Sequence, residues 1–311
     1  RTLDCLARAG AFDFTGENRR HLVDSIESVR RHFSTERKER ERGQGSLFDL
    51  LGAEDAGAAR PSDLILRKSE PMPKLEMLNN EKQLLGFYLS GHPLADYHGL
   101  DEAVATFATT PDRIELDRKE RHTVRICGIL GNLEKKISKK DNRPWCLFTV
   151  SSRNVAVPVS MFSEAFDAAL ALRDGDQPLL ADGAHVMVDA RLSYREERGE
   201  WNISAHGLQP LRGAPALIKK ILFALKPGPE AGPFMEKLVA HTRKVDGPTI
   251  VQVGFLQPDG RVLVAEAARG MTTRFDPATY GAFARDPACA GVQIDAAAPA
   301  QPPQRKFGPR G

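Results

Sequence analysis

The sequence is poor in cysteine. Four thiols are spread over 311 residues, at Cys5, Cys127, Cys146 and Cys289, and no two form a CxxC pair. That spacing argues against a disulfide framework and against a cysteine-based zinc site, and it fits a reducing cytoplasm. No apolar run approaches the ~20 residues that a membrane-spanning helix needs. Aromatic residues are 7% of the chain, with two tryptophans. There is no phosphate-binding Gly-rich loop with its Lys, no HExxH, no GxSxG, and no pair of metal-binding carboxylates in a strand context, so a catalytic set is not expected. His92 precedes Pro93 and reads as a turn residue rather than a base. The net charge is only +3. A charge that small does not announce a nucleic-acid binder, and what matters is where it sits. The chain opens on Arg1, without a start Met or the pattern of a signal peptide, which reads as a fragment lacking its N-terminal part.

What is present is an ordinary globular composition, 41% hydrophobic and 27% charged, long enough for two or three domains. Residues 2–9 read as the end of a helix stopped by Gly10. A long helix begins near Asn18 with Leu22, Ile26, Val29 and Phe33 as its apolar stripe, and it turns wholly charged from Glu36 to Arg42 before Gly43. Residues 53–73 have the composition of a linker. A second helix is expected over 75–89, with Leu75, Leu78, Leu85 and Leu89 on one face. Gly91 and Pro93 are its expected stop.

From Thr123 the period changes to two. Val124, Ile126, Gly128 and Leu130 alternate, then Cys146, Phe148 and Val150, then Val155, Val157 and Val159. A short helix over 162–172 follows, and two more strands run through Val186, Val188, Ala190 and Leu192 and through Trp201, Ile203 and Ala205. Three strands, a helix and two strands is the order of an OB-fold, a five-stranded Greek-key barrel. Beyond residue 215 the pattern is mixed. Strands are expected at 218–224, 249–256, 262–267 and 292–294 and helices at 233–243 and 277–284, which makes a small α+β domain. The Pro-rich end from Ala296, with Arg305, Lys306 and Arg310, reads as a disordered tail.

Two segments carry recognition chemistry. Gln44-Gly45-Ser46-Leu47-Phe48 lies between the charged helix end and the linker. An apolar pair to fill a pocket, with Gln44 and Ser46 to bond at its rim, is the make-up of a peptide anchor. The competing reading folds Leu47 and Phe48 back onto the protein. The second segment is the loop between the first two barrel strands, where Lys135, Lys136, Lys139, Lys140 and Arg143 outnumber Glu134 and Asp141. In an OB-fold this loop and the adjoining strand face form the usual nucleic-acid surface, with cations on phosphates and aromatic rings on bases. Trp145 and Phe148 follow directly. Trp145 reads equally as a stacking platform or as packing, and the pattern allows Phe148 on either face. The loop at 195–199 is charge-balanced and a weaker candidate, flanked by Tyr194 and Trp201.

Taken together, these pieces resemble one family. Leu6-Ala7-Arg8-Ala9-Gly10-Ala11-Phe12-Asp13, followed by Asn18-Arg19-Arg20, is similar to the end of the helix-hairpin-helix region of bacterial DNA polymerase III alpha subunits. The block from Glu81 to Leu94, EKQLLGFYLSGHPL, is very similar to the family's segment just before its OB domain, and 124–150 resembles its OB strands and loop. The resemblance covers about residues 1–212 well and is weaker beyond. It implies a cytoplasmic, replisome-associated, DNA-directed DNA polymerase whose catalytic palm, with its magnesium, lies upstream of this sequence. It further implies that Gln44, Ser46, Leu47 and Phe48 bind the sliding clamp, although Gly45 departs from the bulkier residue usual there. The barrel is expected to bind single-stranded template DNA. The last domain is expected to bind the tau subunit of the clamp loader, alongside other holoenzyme subunits.

The expected division is therefore 1–43, end of the helix-hairpin-helix region and long helix; 44–73, clamp-binding peptide and linker; 74–120, signature helix and connection; 121–212, OB-fold; 213–295, α+β domain; and 296–311, tail. Three other readings stand beside this one: the error-prone paralogue of the same family, a stand-alone OB module for single-stranded DNA or an anticodon, and an interaction protein whose barrel binds no nucleic acid. The α+β region and the clamp-like peptide argue against the first, and the helical region against the second.

Overall fold

The structure, a computed structural model, describes residues 1–41, 68–107, 111, 115–139, 141–153, 155–265 and 271–302. The chain divides into two compact units, Arg1–Pro93 and Leu94–Gly311. The candidate clamp peptide, Gln44, Ser46, Leu47 and Phe48, lies outside the described residues, as does Lys140.

The first unit is helical. Helix α1 spans Thr2–Arg8, α2 spans Arg19–Glu41 and α3 spans Lys74–Leu85. Asn18 caps α2, its side-chain oxygen accepting the Arg20 amide at 2.8 Å. Helix α3 ends earlier than the expected 89. Gly86 takes φ +85°, a left-handed conformation that glycine adopts without strain, and its amide returns to the Lys82 carbonyl. Leu89 thus falls off the helix, and of the expected stripe only Leu78 is buried, while Leu75, Leu85 and Leu89 are exposed.

Residues beyond this turn are fixed by charge rather than by apolar packing. Glu81, fully buried on α3, accepts the amides of Leu89 (2.7 Å) and Ser90 (2.9 Å), the Ser90 hydroxyl, and Arg19 Nη1 at 2.9 Å. Arg19 is also buried. It holds Asp13 through Nε (2.8 Å) and Nη2 (2.6 Å), and donates to Ser90 Oγ at 2.9 Å. Two of the sequence blocks that carry the family resemblance, 6–20 and 81–94, therefore meet in one ionic network. Burial by itself would raise the Glu81 carboxyl, but the bonds from Ser90, Leu89 and Arg19 outweigh it and hold it below the ordinary carboxylate range.

The second unit contains a closed barrel of β1 (His122–Ile137), β2 (Pro144–Ser151), β3 (Ala156–Phe162), β4 (His185–Arg195) and β5 (Glu200–Pro210). The order around the barrel is β1-β2-β3-β5-β4, closed by parallel pairing of β3 with β5 and antiparallel pairing of β1 with β4. Helix α4 (Leu100–Val104) precedes the barrel in sequence, and α5 (Ser163–Leu170) lies between β3 and β4 and sends Phe166 and Ala169 into the barrel core. This strand order, with a helix after the third strand, is the OB-fold expected from the alternation. Inward residues are the alternating set: Val124, Ile126 and Leu130 of β1, Cys146, Phe148 and Val150 of β2, and Val157, Val159 and Met161 of β3.

Strand β1 also serves a second core. Its outward Cys127 and Ile129, with Met187 of β4, join Phe223, Phe234, Phe275 and Phe283 of the C-terminal region in one apolar cluster. That region is a sheet of β6 (Ile218–Leu225), β7 (Thr249–Leu256), β8 (Val262–Ala265), β9 (Met271–Thr273) and β10 (Cys289–Ala296), in the order β8-β7-β6-β10 with β9 also on β7. Helix α6 (Ala231–Lys244) connects the parallel β6 and β7, burying Phe234 and Leu238, and α7 (Pro277–Ala284) precedes β10. A strand buried on both faces cannot keep a strict hydrophobic alternation, which is why β1 reads as a near-continuous apolar run over 126–130.

The expected disordered tail does not begin at Ala296. Residues 297–302 cross the barrel wall: Arg125 donates to the Ala297 and Ala298 carbonyls at 2.7 and 3.3 Å, and the Ala300 amide donates to Asp189 at 3.2 Å. Backbone groups thereby complete the buried Arg125–Asp189 pair (2.9 Å). A composition rich in Ala and Pro gave no hint of these carbonyl contacts.

One close approach in the barrel yields a direct test. At Gly128 an added Cβ would stand 2.5 Å from the Ser151 carbonyl oxygen and 2.9 Å from Val150 Cγ1. Gly128→Ala must push β1 and β2 apart, at a cost of about 1–3 kcal/mol. A lowered urea midpoint for the second unit, with the first unit unchanged, is the expected result.

Candidate nucleic-acid interface

Strand alternation places Trp145, Leu147 and Thr149 on the outer face of β2, because Cys146, Phe148 and Val150 point inward. Phe148 is 1% exposed and belongs to the barrel core. It is removed from the candidate set, since a ring enclosed by Val150, Met161 and their neighbours has no face left for a base. Trp145 is half-buried and on the open side.

Pairing then builds a row across three strands. Lys136 of β1 sits opposite Trp145 of β2, and Trp145 opposite Phe162 of β3. The Trp145 and Phe162 rings stack at 5.2 Å with 23° between their planes, and the Lys136 ammonium lies 5.7 Å from the Trp145 ring centre. Phe162 is 45% exposed and Ile137, at the end of β1, is 67% exposed. Sequence reading missed Phe162 by assigning it to the following helix. The signal was present: Val157, Val159 and Met161 point inward, so residue 162 must point outward.

The cationic loop is a tight connection. The Ser138 amide donates to the Arg143 carbonyl at 2.9 Å, the Asn142 amide donates to the Ser138 carbonyl at 3.0 Å, and Asn142 takes φ +53°, which asparagine tolerates better than most residues. Lys135, Lys136, Lys139 and Arg143 are all exposed. Lys136 pairs with Glu134 at 2.7 Å, while among the described residues Lys135 and Lys139 have no carboxylate partner. The Ser138 hydroxyl, helped by the Arg143 amide and charge, holds Asp141 below its ordinary range, so this one acid stays ionised within the loop. The result is a group of four mostly unneutralised cations beside a two-ring platform. Phosphates of a single strand suit the first and unpaired bases suit the second.

The other loop contributes less here. Trp201 packs against the barrel core, and Tyr194 meets it edge-on at 5.3 Å while the Arg118 guanidinium covers the Tyr194 ring at 4.6 Å. Arg198 pairs with Glu200 at 3.7 Å. Among the described residues no group of three or more His, Cys, Asp or Glu side chains is placed to hold a metal ion. No described helix is long and apolar enough to cross a membrane.

No family model matches the chain. Curated relatives do. The chain is 26% identical over 295 residues to the DNA polymerase III subunit alpha of Pseudomonas fluorescens, covering 89% of this chain and 23% of the relative. It is 32% identical over 143 residues to that of Caulobacter vibrioides, covering 46% and 12%, and 24% identical over 196 residues to that of Borreliella burgdorferi, covering 63% and 16%. The chain thus spans less than a quarter of the length of these relatives. Among solved structures it is similar to the mitochondrial single-stranded DNA binding protein Rim1 of S. cerevisiae (18% identity, 30% of this chain and 97% of that one, TM-score 0.24). It is also similar to RecG bound to a three-way DNA junction (19% identity, 43% and 16%, TM-score 0.25). Structural likenesses this weak have no bearing on function. The sequence matches do, and they run through both units: the chain is related to the alpha subunits of bacterial DNA polymerase III.

Proposed function

We propose that this chain is the C-terminal, non-catalytic portion of a replicative DNA polymerase alpha subunit, and that its barrel binds single-stranded template DNA. The observation that carries the DNA reading is the row Lys136–Trp145–Phe162 beside the exposed cations Lys135, Lys139 and Arg143. Relationship to DNA polymerase III alpha subunits supports the setting, DNA replication. In this reading the whole protein is a DNA-directed DNA polymerase using magnesium in a domain outside this sequence. The peptide Gln44, Ser46, Leu47, Phe48 tethers it to the sliding clamp, and residues 213–295 bind the clamp loader.

The tether is tested by clamp binding. The purified chain is expected to bind a matched bacterial sliding clamp. A Gln44→Ala, Leu47→Ala, Phe48→Ala triple variant is expected to lose at least tenfold in affinity, because an apolar anchor pair and its hydrogen-bonding partner carry most of such a contact. Equal binding by both proteins would remove this peptide from the tether. No binding by a folded wild type would remove the tether and leave the barrel's DNA contact as the function.

A further inference from the structure

A second cationic surface lies on the barrel, built on β4 and β5 rather than on the strands that carry the row just described. Its floor is the outer face of β4 and β5, where Arg191 pairs across the ladder with Ser204, and Ser193 with Asn202. These four side chains are half-buried, and the floor carries no carboxylate. Two structured walls enclose a cleft of about 450 Å³. One is a turn organised by Asp117, whose side chain accepts the Lys119 amide at 2.8 Å and whose carbonyl lies 2.8 Å from His122 Nε2. This turn sets Lys119 and Arg121 on the rim. The other wall is the segment ending at Pro302, pinned by His206 Nε2 on the Ala300 carbonyl (2.7 Å) and by Thr123 on Gln301 (3.3 Å).

The charge balance is one-sided. Arg118, Lys119, Arg121 and Arg191 line the cleft against a single acid, Glu120. Among the described residues, Lys119, Arg121 and Arg191 have no carboxylate partner. Asp189, the nearest acid on β4, is already engaged by Arg125 and the Ala300 amide. A half-buried guanidinium left without an acid, above hydroxyl and amide side chains that can donate, is arranged for an anion with several oxygens. The walls here are hydrogen-bonded and pre-formed, so little ordering opposes binding.

We propose that this cleft is a second phosphate-binding site of the barrel, taking the phosphodiester backbone of a single strand or the phosphates of a free nucleotide. The strand alternative rests on the reading of the barrel as a DNA-binding module; the nucleotide alternative does not. The site uses other side chains than the row on β1, β2 and β3 and adds Lys119, Arg121 and Arg191 to the charge a polyanion meets.

The test uses the whole chain with Lys135, Lys136, Lys139 and Arg143 changed to Ala, which silences the other cationic surface. Inorganic tripolyphosphate is titrated calorimetrically into this protein, into the same protein carrying Lys119→Ala, Arg121→Ala and Arg191→Ala, and into one carrying Ser204→Glu. One site is expected in the first and at least a tenfold loss in the other two, with circular dichroism unchanged. No binding in the first, or equal binding in all three, would overturn the proposal. In otherwise wild-type protein, the three Ala changes are then expected to lower the log–log salt slope for oligothymidylate by about 2, at ~0.7 per phosphate contact. That drop identifies a strand as the ligand. Tripolyphosphate binding with an unchanged slope keeps the site and identifies a free nucleotide or phosphate as its source. If the wild type binds no oligonucleotide, the DNA reading of the barrel fails while the tripolyphosphate result still decides the cleft.

Discussion

Glu81→Ala is expected to unfold most of the first unit while leaving the barrel intact. The side chain is fully buried and satisfies four donors, two backbone amides, a hydroxyl and a guanidinium, with Arg19 in turn fixing Asp13. Its removal leaves a buried Arg19 with only the partly exposed Asp13 as ionic partner and strands the amides of Leu89 and Ser90. Breaking a buried pair in this way costs about 3–5 kcal/mol, a large share of the roughly 5–15 kcal/mol that holds a domain folded. Hydrogen exchange is the direct readout. Amides of α2 and α3 should lose protection, while those of the barrel strands keep theirs. Glu81→Gln should fall between, since an amide oxygen still accepts the backbone bonds but carries no charge. Unchanged protection in the Ala variant would show that apolar packing, not the network, sets the unit's stability.

The same carboxylate gives the unit a pH dependence. Its folded value is lowered, so the stability it contributes is present above the unfolded value, near 4.3, and is lost as pH falls through the folded one. Stability should therefore be flat from neutral pH to about 5 and fall below that. In Glu81→Gln the fall should be shallower.

The second large effect is electrostatic. Changing Lys135, Lys136, Lys139 and Arg143 together to Ala should weaken binding of single-stranded DNA by roughly 10²–10³-fold at low salt, and reduce the log–log salt slope by about 3, because each phosphate contact on a single strand contributes ~0.7 to that slope. All four side chains are exposed, and among the described residues only Lys136 of the four holds a carboxylate in an ion pair. Their loss should therefore leave folding unchanged. A slope that stays at the wild-type value would show that the strand does not run along this loop.

How much of this could be read from residues alone differs by element. The five barrel strands were legible because a closed barrel has one inward face per strand, and Cys146, Phe148, Val150 or Val186, Val188, Ala190 write that face directly into the sequence. The same rule could have assigned Phe148 inward and Phe162 outward. Each was misplaced or left open because a lone aromatic fits either face until the register fixes its parity. The end of α3 was misjudged because Gly86 and Gly91 are both competent stops, and the network around Glu81 selects the first. The outward burial of Cys127 and Ile129, and the seating of residues 297–302 on Arg125 and Asp189, depend on contacts between segments some 60 to 170 residues apart, which no local pattern encodes. The cleft over β4 and β5 was invisible for the same reason. Nothing local in Arg118, Lys119 and Arg121 shows that the barrel sets them beside Arg191.

The chain's two tryptophans allow one decisive measurement. In a Trp201→Phe variant, Trp145 is the sole indole, and oligothymidylate is titrated in while its fluorescence is followed. If the row Lys136–Trp145–Phe162 is the DNA platform, emission should be quenched saturably. The midpoint should move to higher DNA concentration with added salt, and a Phe162→Ala change should weaken binding by about 1–3 kcal/mol, the stacking of one base. Binding detected by anisotropy with no change in Trp145 emission, or no binding at all by the folded chain, would contradict the claim that this face of the barrel holds single-stranded DNA.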